Sequence, residues 1–277
     1  MAKLTELHAE LAKLEQTLLS VEKIQQEPTA KRGICETNSN HGEYAYHEST
    51  NQLMNRTYTF KTACPHCTVE KITTLKKEIQ VENQSEILRL KTLSNIPMRF
   101  AHCSLSNYEP VNDGAKKALA YATRYADKWL DRLAKGGGLV FCGKPGTGKN
   151  HLACAIANSI IENHQAKVLI SSALRIARDI KNSWSRDSQI SEERAIKTYT
   201  DKDLLIIDEI GIQFGSEAEK IILFEIINTR YEQMKPTILI SNLSEQELGT
   251  YIGERVLDRM MEGQGAIIAF DWESYRK

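Results

Sequence analysis

Residues 143–150 have the composition and spacing of a phosphate-binding loop. They follow an apolar run at residues 139–142 and precede a helical pattern that opens at His151. In this context the backbone N–H groups of the loop and the positive end of the helix dipole bind phosphate, and Lys149 can reach the β- and γ-phosphates. The alternative is a glycine-rich turn without a ligand. The pattern favours ATP or GTP binding by Gly143, Lys144, Pro145, Gly146, Thr147, Gly148, Lys149, Asn150 and His151.

Asn150 stands where the motif G-x-x-x-x-G-K-[ST] has a hydroxyl side chain that ligates Mg²⁺. The carbonyl oxygen of an asparagine can also bind a hard cation, so Asn150 is a candidate Mg²⁺ ligand. Its longer side chain would shift the geometry of the site. We therefore predict a slow, switch-like ATPase whose turnover without any partner is below about 10 s⁻¹, near the median of enzymes.

Two adjacent acids, Asp208 and Glu209, directly follow the apolar run at residues 204–207. Such a run is typical of a central parallel strand that is buried on both faces, and ligands bind at the carboxyl ends of these strands. Asp208 is therefore predicted to hold Mg²⁺, directly or through water. Glu209 is predicted to polarise the water that attacks the γ-phosphate.

Three more polar residues could complete this chemistry. Asn242 ends a further strand pattern, where its amide could orient the same water; a turn-forming role is the alternative. Arg255 and Arg259 are four residues apart and share one helix face. Arginine suits bidentate phosphate contact, and it can act on the γ-phosphate bound by a neighbouring subunit. The alternative is an ion-paired surface helix, because Glu254 and Asp258 are adjacent.

A cysteine-rich stretch lies between residues 29 and 68, which are polar and poor in Leu, Ile and Val. This stretch can bury few apolar side chains, so it needs a stabilising cross-link such as a bound metal ion. Cys64 and Cys67 form a C-x-x-C knuckle that places two thiolates on one metal ion, and Cys35 and His41 can complete a Cys₃His zinc site. A redox pair and unrelated thiols are the other interpretations. The alternative nitrogen ligands are His47 and His66.

The composition is ordinary for a globular chain of 277 residues, with 41% hydrophobic and 26% charged residues and a net charge of zero. A net charge of zero gives no overall positive potential that would attract nucleic acid, so any contact with nucleic acid must be made by a local basic patch. No apolar run approaches the ~20 residues that span a membrane, and the N-terminus lacks a signal-peptide core. We therefore predict a cytoplasmic protein without membrane contact, whose six cysteines are metal ligands or buried thiols.

Strand and helix patterns alternate from residue 138 onward, which predicts an α/β fold with a five-stranded parallel sheet in three layers. The predicted strands are 138–143, 167–171, 203–208, 236–241 and 265–270. The predicted helices between them are 149–163, 172–183, 190–200, 216–234 and 244–262, and another helix is predicted at 113–134.

The N-terminal third is predicted to be organised differently. A narrow a/d seam on one helix requires a partner helix, either in the same chain or in another protein. The predicted division is an amphipathic helix at 1–28, a zinc-binding and helical module at 29–94, a linker at 95–112 and an ATPase domain at 113–277. The seam consists of Leu4, Leu7, Leu11, Leu14, Leu18 and Val21.

Taken together, these motifs closely resemble those of the DnaC-type replicative helicase loaders of bacteria and phages, which are AAA+ ATPases. The resemblance extends from about residue 103 to the C-terminus and includes the unusual Asn150. The segments that carry it are 143–153, 204–211, 253–260 and 270–276.

The resemblance implies that the N-terminal region binds a DnaB-type hexameric replicative helicase, which the protein loads onto single-stranded DNA with ATP as the switch. It also implies self-association through the AAA+ domain. By motif match, Asn242 is sensor I, Arg259 is the arginine finger with Arg255 beside it, and Arg276 is sensor II. Phage and other relatives carry a similar Cys…His-Gly-x-Tyr…Cys-Pro-x-Cys segment, which supports the zinc ligands. The alternatives are a transposition ATPase of the IstB type and an ATP-binding scaffold with little turnover.

Overall fold

The computed structural model describes residues 2–53, 56–211 and 217–275. The chain divides into two compact units, Met1–Glu86 and Ile87–Lys277. The four-part division predicted from the sequence is finer than this and stays a prediction. Within the described ranges, no helix is both long enough and apolar enough to cross a membrane.

The first unit combines long helices with two short antiparallel hairpins. Strand β1 pairs with β2, and β3 pairs with β4. The alternating patterns of residues 42–46 and 56–60 predict two strands, and both are present as β2 and β4, each paired with a different strand. The elements are α1 (Ala2–Ile24), β1 (Lys31–Ile34), β2 (Glu43–Tyr46), β3 (Glu48–Leu53), β4 (Arg56–Lys61) and α2 (Pro65–Leu93), the last of which continues into the second unit.

The leucine seam of α1 has its partner in the same chain. Leu4 is buried with Leu75 and Ile79 of α2, and other seam leucines pack against this cluster. Lys3 pairs with Glu82 at 2.6 Å on the exposed side of the contact. The intramolecular alternative is therefore the correct one for this part of the seam.

The second unit is built on the predicted five-stranded sheet, in which every strand pair is parallel. The strand order is β6-β7-β8-β5-β9. The strands are β5 (Leu139–Gly143), β6 (Val168–Ser172), β7 (Leu204–Ile210), β8 (Thr237–Ser241) and β9 (Ala266–Phe270). The helices are α3 (Asp113–Asp127), α4 (Trp129–Lys135), α5 (Lys149–His164), α6 (Ala173–Ser183), α7 (Glu192–Thr200), α8 (Glu217–Glu232), α9 (Glu245–Ile252) and α10 (Glu254–Met261).

Side chains of the sheet alternate between two hydrophobic cores. Leu139 and Phe141 of β5 lie in a core with α3 and α5, whereas Val140 and Cys142 lie in a core with α6 and α8. Because helices cover both faces, the central strands are apolar along almost their whole length. This arrangement confirms the predicted three-layer α/β fold.

Two helices predicted as continuous are each interrupted in the structure. The predicted helix 244–262 consists of α9 and α10, because Gly253 adopts φ 93°, a conformation that an α-helix cannot contain. The predicted helix 113–134 is broken at Lys128, which has φ −96° and ψ 21°. In both cases the hydrophobic period continues across the break, so periodicity alone does not reveal it.

Candidate nucleotide site and metal centre

The phosphate-binding loop connects β5 to α5, as the sequence predicted. Lys149, the first residue of α5, is only 5% exposed. Its Nζ donates hydrogen bonds to the carbonyl oxygens of Gly143 at 2.7 Å and Lys144 at 2.6 Å. The ammonium group is therefore held inside the loop, where it can reach a phosphate with little loss of side-chain entropy.

Two glycines let neighbouring segments approach the loop closely. Gly146 has φ 76°, and a Cβ atom there would lie 2.0 Å from Oγ of Ser274. Gly148 has φ 99°, and a Cβ atom there would lie 2.8 Å from the ring of Tyr108. Any side chain at either position would strain the backbone and displace its neighbour.

A cavity of about 450 Å³ adjoins the loop. It brings together most of the residues that the sequence assigned to nucleotide chemistry, from three different strand ends. Those residues are Pro145, Gly146, Thr147, Gly148, Lys149, Asn150, His151, Asp208, Glu209 and Asn242.

Asp208 and Glu209 lie at an irregularity in the pairing of β7 with β8, between Ile207 and Ile210. Glu209 has φ 60°, which is uncommon for a residue with a side chain. Its backbone N–H donates to Oδ1 of Asp208 at 2.7 Å. Bulges often redirect side chains beside active sites, and here one places both acids along the cavity.

Asn150 contacts Asp208 directly. Its Nδ2 donates to Oδ2 of Asp208 at 2.6 Å, which links the start of α5 to the end of β7. Burial raises the pKa of Asp208, whereas hydrogen bonds from the Glu209 backbone and from Asn150 oppose this rise. One amide thus stabilises the ionised form of the carboxylate that is the candidate magnesium ligand.

Replacing Asn150 with alanine is expected to raise the pKa of Asp208 further. Because Mg²⁺ binds the ionised carboxylate, the fall in Mg²⁺-dependent nucleotide binding on acidification should then begin at a higher pH. Titrating an ATP analogue between about pH 5 and pH 8 measures this shift. Asn163→Ala, an exposed change on the same helix, is the control. An unchanged pH profile in Asn150→Ala would contradict the expectation.

The arginines predicted to act at the γ-phosphate are both on α10. Arg255 is exposed, whereas Arg259 is half-buried, donates to Oδ1 of Asn228 and lies 5.0 Å from the ring centre of Tyr231. Among the described residues that line the cavity, neither arginine is present. Arg276, the predicted sensor II, lies outside the described residues.

The sequence did not predict the aromatic wall of the cavity. Tyr108 and Trp272 both donate to the carbonyl oxygen of Thr147, at 3.4 and 3.2 Å. The backbone N–H of Tyr275 donates to the carbonyl of Gly146 at 2.9 Å, and its hydroxyl donates to Glu109 at 3.0 Å. These residues lie in irregular segments, where aromatic side chains among polar neighbours were the only available signal.

The predicted zinc ligands form one cluster in the first unit. The ligand atoms of Cys35, His41, Cys64 and Cys67 all lie within 4.8 Å of one another. Sγ of Cys67 is 3.4 Å from Sγ of Cys35 and 3.2 Å from Nδ1 of His41. Three sulfurs and one nitrogen at these separations fit a tetrahedral metal ion.

The surroundings of the cluster also suit a metal. The backbone N–H of Asn38 is the main cause that lowers the pKa of Cys35 to about 6, which favours the thiolate form that ligates metals, whereas burial raises the pKa of Cys67 to about 11. Nε2 of His41 lies 3.0 Å from Oε1 of Glu70, so the second ring nitrogen can donate to a carboxylate. His47 instead pairs with Glu27. Within the described residues, the cluster includes neither of the alternative histidines.

Replacing Glu70 with alanine is expected to weaken metal binding by about 10- to 100-fold, because Glu70 orients the ring of His41. Competition with a chromophoric zinc chelator measures the affinity. Glu78→Ala changes an exposed acid on the same helix and should leave the affinity unchanged. Equal affinities of the two variants would show that Glu70 does not support the site.

A family profile described as IstB-like ATP binding protein matches residues 45–277. The chain belongs to the IstB-like ATP-binding family. The match covers the whole described nucleotide cavity, so ATP is the nucleotide that the family indicates for it.

Comparison with curated proteins confirms the resemblance to DnaC-type proteins. The chain is 38% identical over 197 residues to the replicative helicase loader DnaC of Buchnera aphidicola subsp. Schizaphis graminum, covering 71% of this chain and 78% of the relative. It is 36% identical over 199 residues to DnaC of Escherichia coli K12, covering 71% and 79%.

Solved structures show the same fold. The crystal structure of the DnaC helicase loader matches with a TM-score of 0.56 and 24% identity over 62% of this chain and 99% of that chain. AMPPCP-bound DnaA from Aquifex aeolicus matches with a TM-score of 0.52 and 25% identity over 63% of this chain and 51% of that chain. These likenesses agree with the AAA+ fold predicted from the sequence.

Proposed function

We propose that this protein is an ATP-dependent loader that binds a DnaB-type hexameric replicative helicase and delivers it onto single-stranded DNA. The observation that carries the proposal is the 38% identity, over 197 residues, to a protein named as a replicative helicase loader. A formed nucleotide cavity in the same part of the chain supports it. The proposed site of action is the cytoplasm.

In the proposed reaction, ATP is hydrolysed to ADP and phosphate. The ammonium group of Lys149 compensates charge on the β- and γ-phosphates, and Asp208, with Asn150 beside it, holds Mg²⁺. Glu209 polarises the attacking water, which Asn242 orients. Mg²⁺ held by these residues would supply positive charge that stabilises the charge developing on the phosphates.

The proposed loader works as an assembly. Since Arg255 and Arg259 are both on α10 and outside the described cavity lining, we assign them to the γ-phosphate site of a neighbouring copy, with Arg276 as sensor II on the nucleotide of its own chain. Hydrolysis would then depend on self-association, and turnover by the isolated chain would be slow. ATP would then be hydrolysed rapidly only in the assembled loader, so hydrolysis would mark the assembled state.

We also propose that the cluster of Cys35, His41, Cys64 and Cys67 binds a structural Zn²⁺. Four protein ligands leave no open coordination position, so the metal would stabilise the fold and not act on a substrate. A small polar region with few buried apolar residues requires such a stabilising cross-link. The proposed helicase contact lies in this N-terminal part of the chain.

The decisive experiment mixes the full-length protein with a DnaB-type helicase, ATP and single-stranded DNA, and scores complex formation and unwinding. A stable complex and ATP-dependent stimulation of unwinding are expected. Failure of the two proteins to co-purify would reject the loader. The family name favours a transposition ATPase as the second candidate, which predicts no helicase complex.

A further inference from the structure

The β3–β4 hairpin of the first unit exposes two aromatic side chains. In this hairpin the side chains of residues 48–52 and 56–61 are exposed, and Tyr58 and Phe60 are 44% and 54% exposed. A two-stranded hairpin is only marginally stable in water, and aromatic side chains are usually buried. Two exposed rings on such an element therefore require an explanation other than packing.

The two rings lie on the same face of the hairpin. Alternate residues of a strand point to one side, so Arg56, Tyr58 and Phe60 share a face. The strand register adds Asn51 opposite Tyr58 and Ser49 opposite Phe60, and directly paired residues face the same way. The side chains described on this aromatic face are thus one cation, two rings and two small polar groups, without a carboxylate.

The other face carries the contacts that attach the hairpin to its own unit. Lys61 pairs with Glu36 at 2.5 Å and lies 5.2 Å from the ring centre of Tyr46. Glu48, also on this face, pairs with Lys31. The described ion pairs of the hairpin are therefore on this face, and none of them involves Arg56, Tyr58 or Phe60.

We propose that the aromatic face binds a single strand of nucleic acid, with one base stacked on Tyr58, the next on Phe60 and a phosphate on Arg56. Stacking on aromatic side chains is independent of sequence, and arginine pairs with phosphate oxygens. This site requires neither ATP nor the helicase, so it goes beyond the proposed loading reaction. With this site, the N-terminal unit would bind the strand independently of the nucleotide site.

The spacing of the rings restricts the ligand to an unpaired strand. Residues two apart on a strand are separated by about 6.8 Å, whereas stacked nucleotides rise about 3.4 Å per strand. Two consecutive bases can therefore reach the two rings only when they are unstacked from each other. A duplex keeps its bases stacked and paired, so it cannot occupy the face in this way.

The test measures fluorescence anisotropy of labelled oligo(dT) and oligo(U) with the full-length protein, without nucleotide. The double variant Tyr58→Ala/Phe60→Ala is expected to bind at least about tenfold more weakly, because it removes both stacking surfaces. The matched control is Thr57→Ala/Thr59→Ala on the opposite face, which should bind normally. A loss of binding to oligo(dT), to oligo(U) or to both supports the proposal, and the two oligonucleotides distinguish a preference for DNA from one for RNA.

Wild-type affinity of the double variant would overturn the proposal, and so would an equal loss in the control variant. If the double variant bound oligonucleotides normally but lost the helicase complex, the face would be assigned to a protein. If the double variant does not fold, Phe60→Trp provides a second measurement. Its added indole emission should be quenched by oligo(dT), and an unquenched indole would also overturn the proposal. A helicase complex that forms normally while the face fails to bind a strand would leave the loading function intact.

Discussion

Lys149→Ala is expected to reduce ATP hydrolysis by at least about 100-fold, the usual effect of removing one preorganised group that stabilises transition-state charge. The ammonium group is buried in the loop and fixed by two carbonyl oxygens, so water cannot replace it at the same position. Phosphate release in the presence of helicase and single-stranded DNA measures the loss.

The same variant separates the ATP site from the helicase contact. We propose that ATP and the helicase bind to separate parts of the chain. The Lys149→Ala variant should therefore still bind the helicase but should not support ATP-dependent unwinding. Lys117→Ala, which changes an exposed lysine of α3, should behave as the unaltered protein. Loss of helicase binding in Lys149→Ala alone would show that the two functions are not in separate parts of the chain.

Arg230→Ala is expected to destabilise the second unit by about 3–5 kcal/mol, because several buried acceptors would lose their donor. Arg230 is fully buried, and its guanidinium donates to the carbonyl oxygens of Tyr199 at 2.9 Å, Lys202 at 2.8 Å and Pro236 at 2.6 Å. It also donates to Thr237 at 3.0 Å. One side chain thus joins the end of α7 to the starts of β7 and β8.

Denaturant unfolding followed by tryptophan fluorescence measures this effect, since all three tryptophans lie in the second unit. Arg178→Ala removes an exposed arginine from α6 and should change stability by less than about 0.5 kcal/mol. An unfolding midpoint for Arg230→Ala equal to that of the control would show that the guanidinium group does not contribute to the stability of the second unit.

The sequence predicted those parts of the molecule that depend on local pattern. The strands and most of the helices of the second unit follow from apolar runs and periodicity, and the loop before Lys149 follows from its glycines. Asp208 and Glu209 were placed correctly at the cavity, because a buried parallel strand must end at the ligand edge of the sheet.

Other features depend on which segments meet in three dimensions. The hydrogen bond between Asn150 and Asp208 joins residues 58 positions apart in the chain. Asn150 lies in the helix that follows β5, Asp208 lies in β7, and β8 separates these two strands in the sheet. Arg230 looks like any polar residue of an amphipathic helix, since its acceptors are backbone atoms without a sequence signature. The seam of α1 showed that a partner was needed, but its spacing carries no information on whether α2 or another protein supplies it.

The intrinsic fluorescence of Trp272 can report nucleotide binding in the cavity. Its indole N–H donates to the carbonyl of Thr147, and its ring lies 4.8 Å from that of Phe270 beside the phosphate-binding loop. A nucleotide that enters the cavity changes the polarity around this indole, so its emission should respond without any attached dye. Nucleotide affinity, exchange and the effect of a helicase can therefore be followed in the unlabelled protein, with Trp272→Phe as the silent reference.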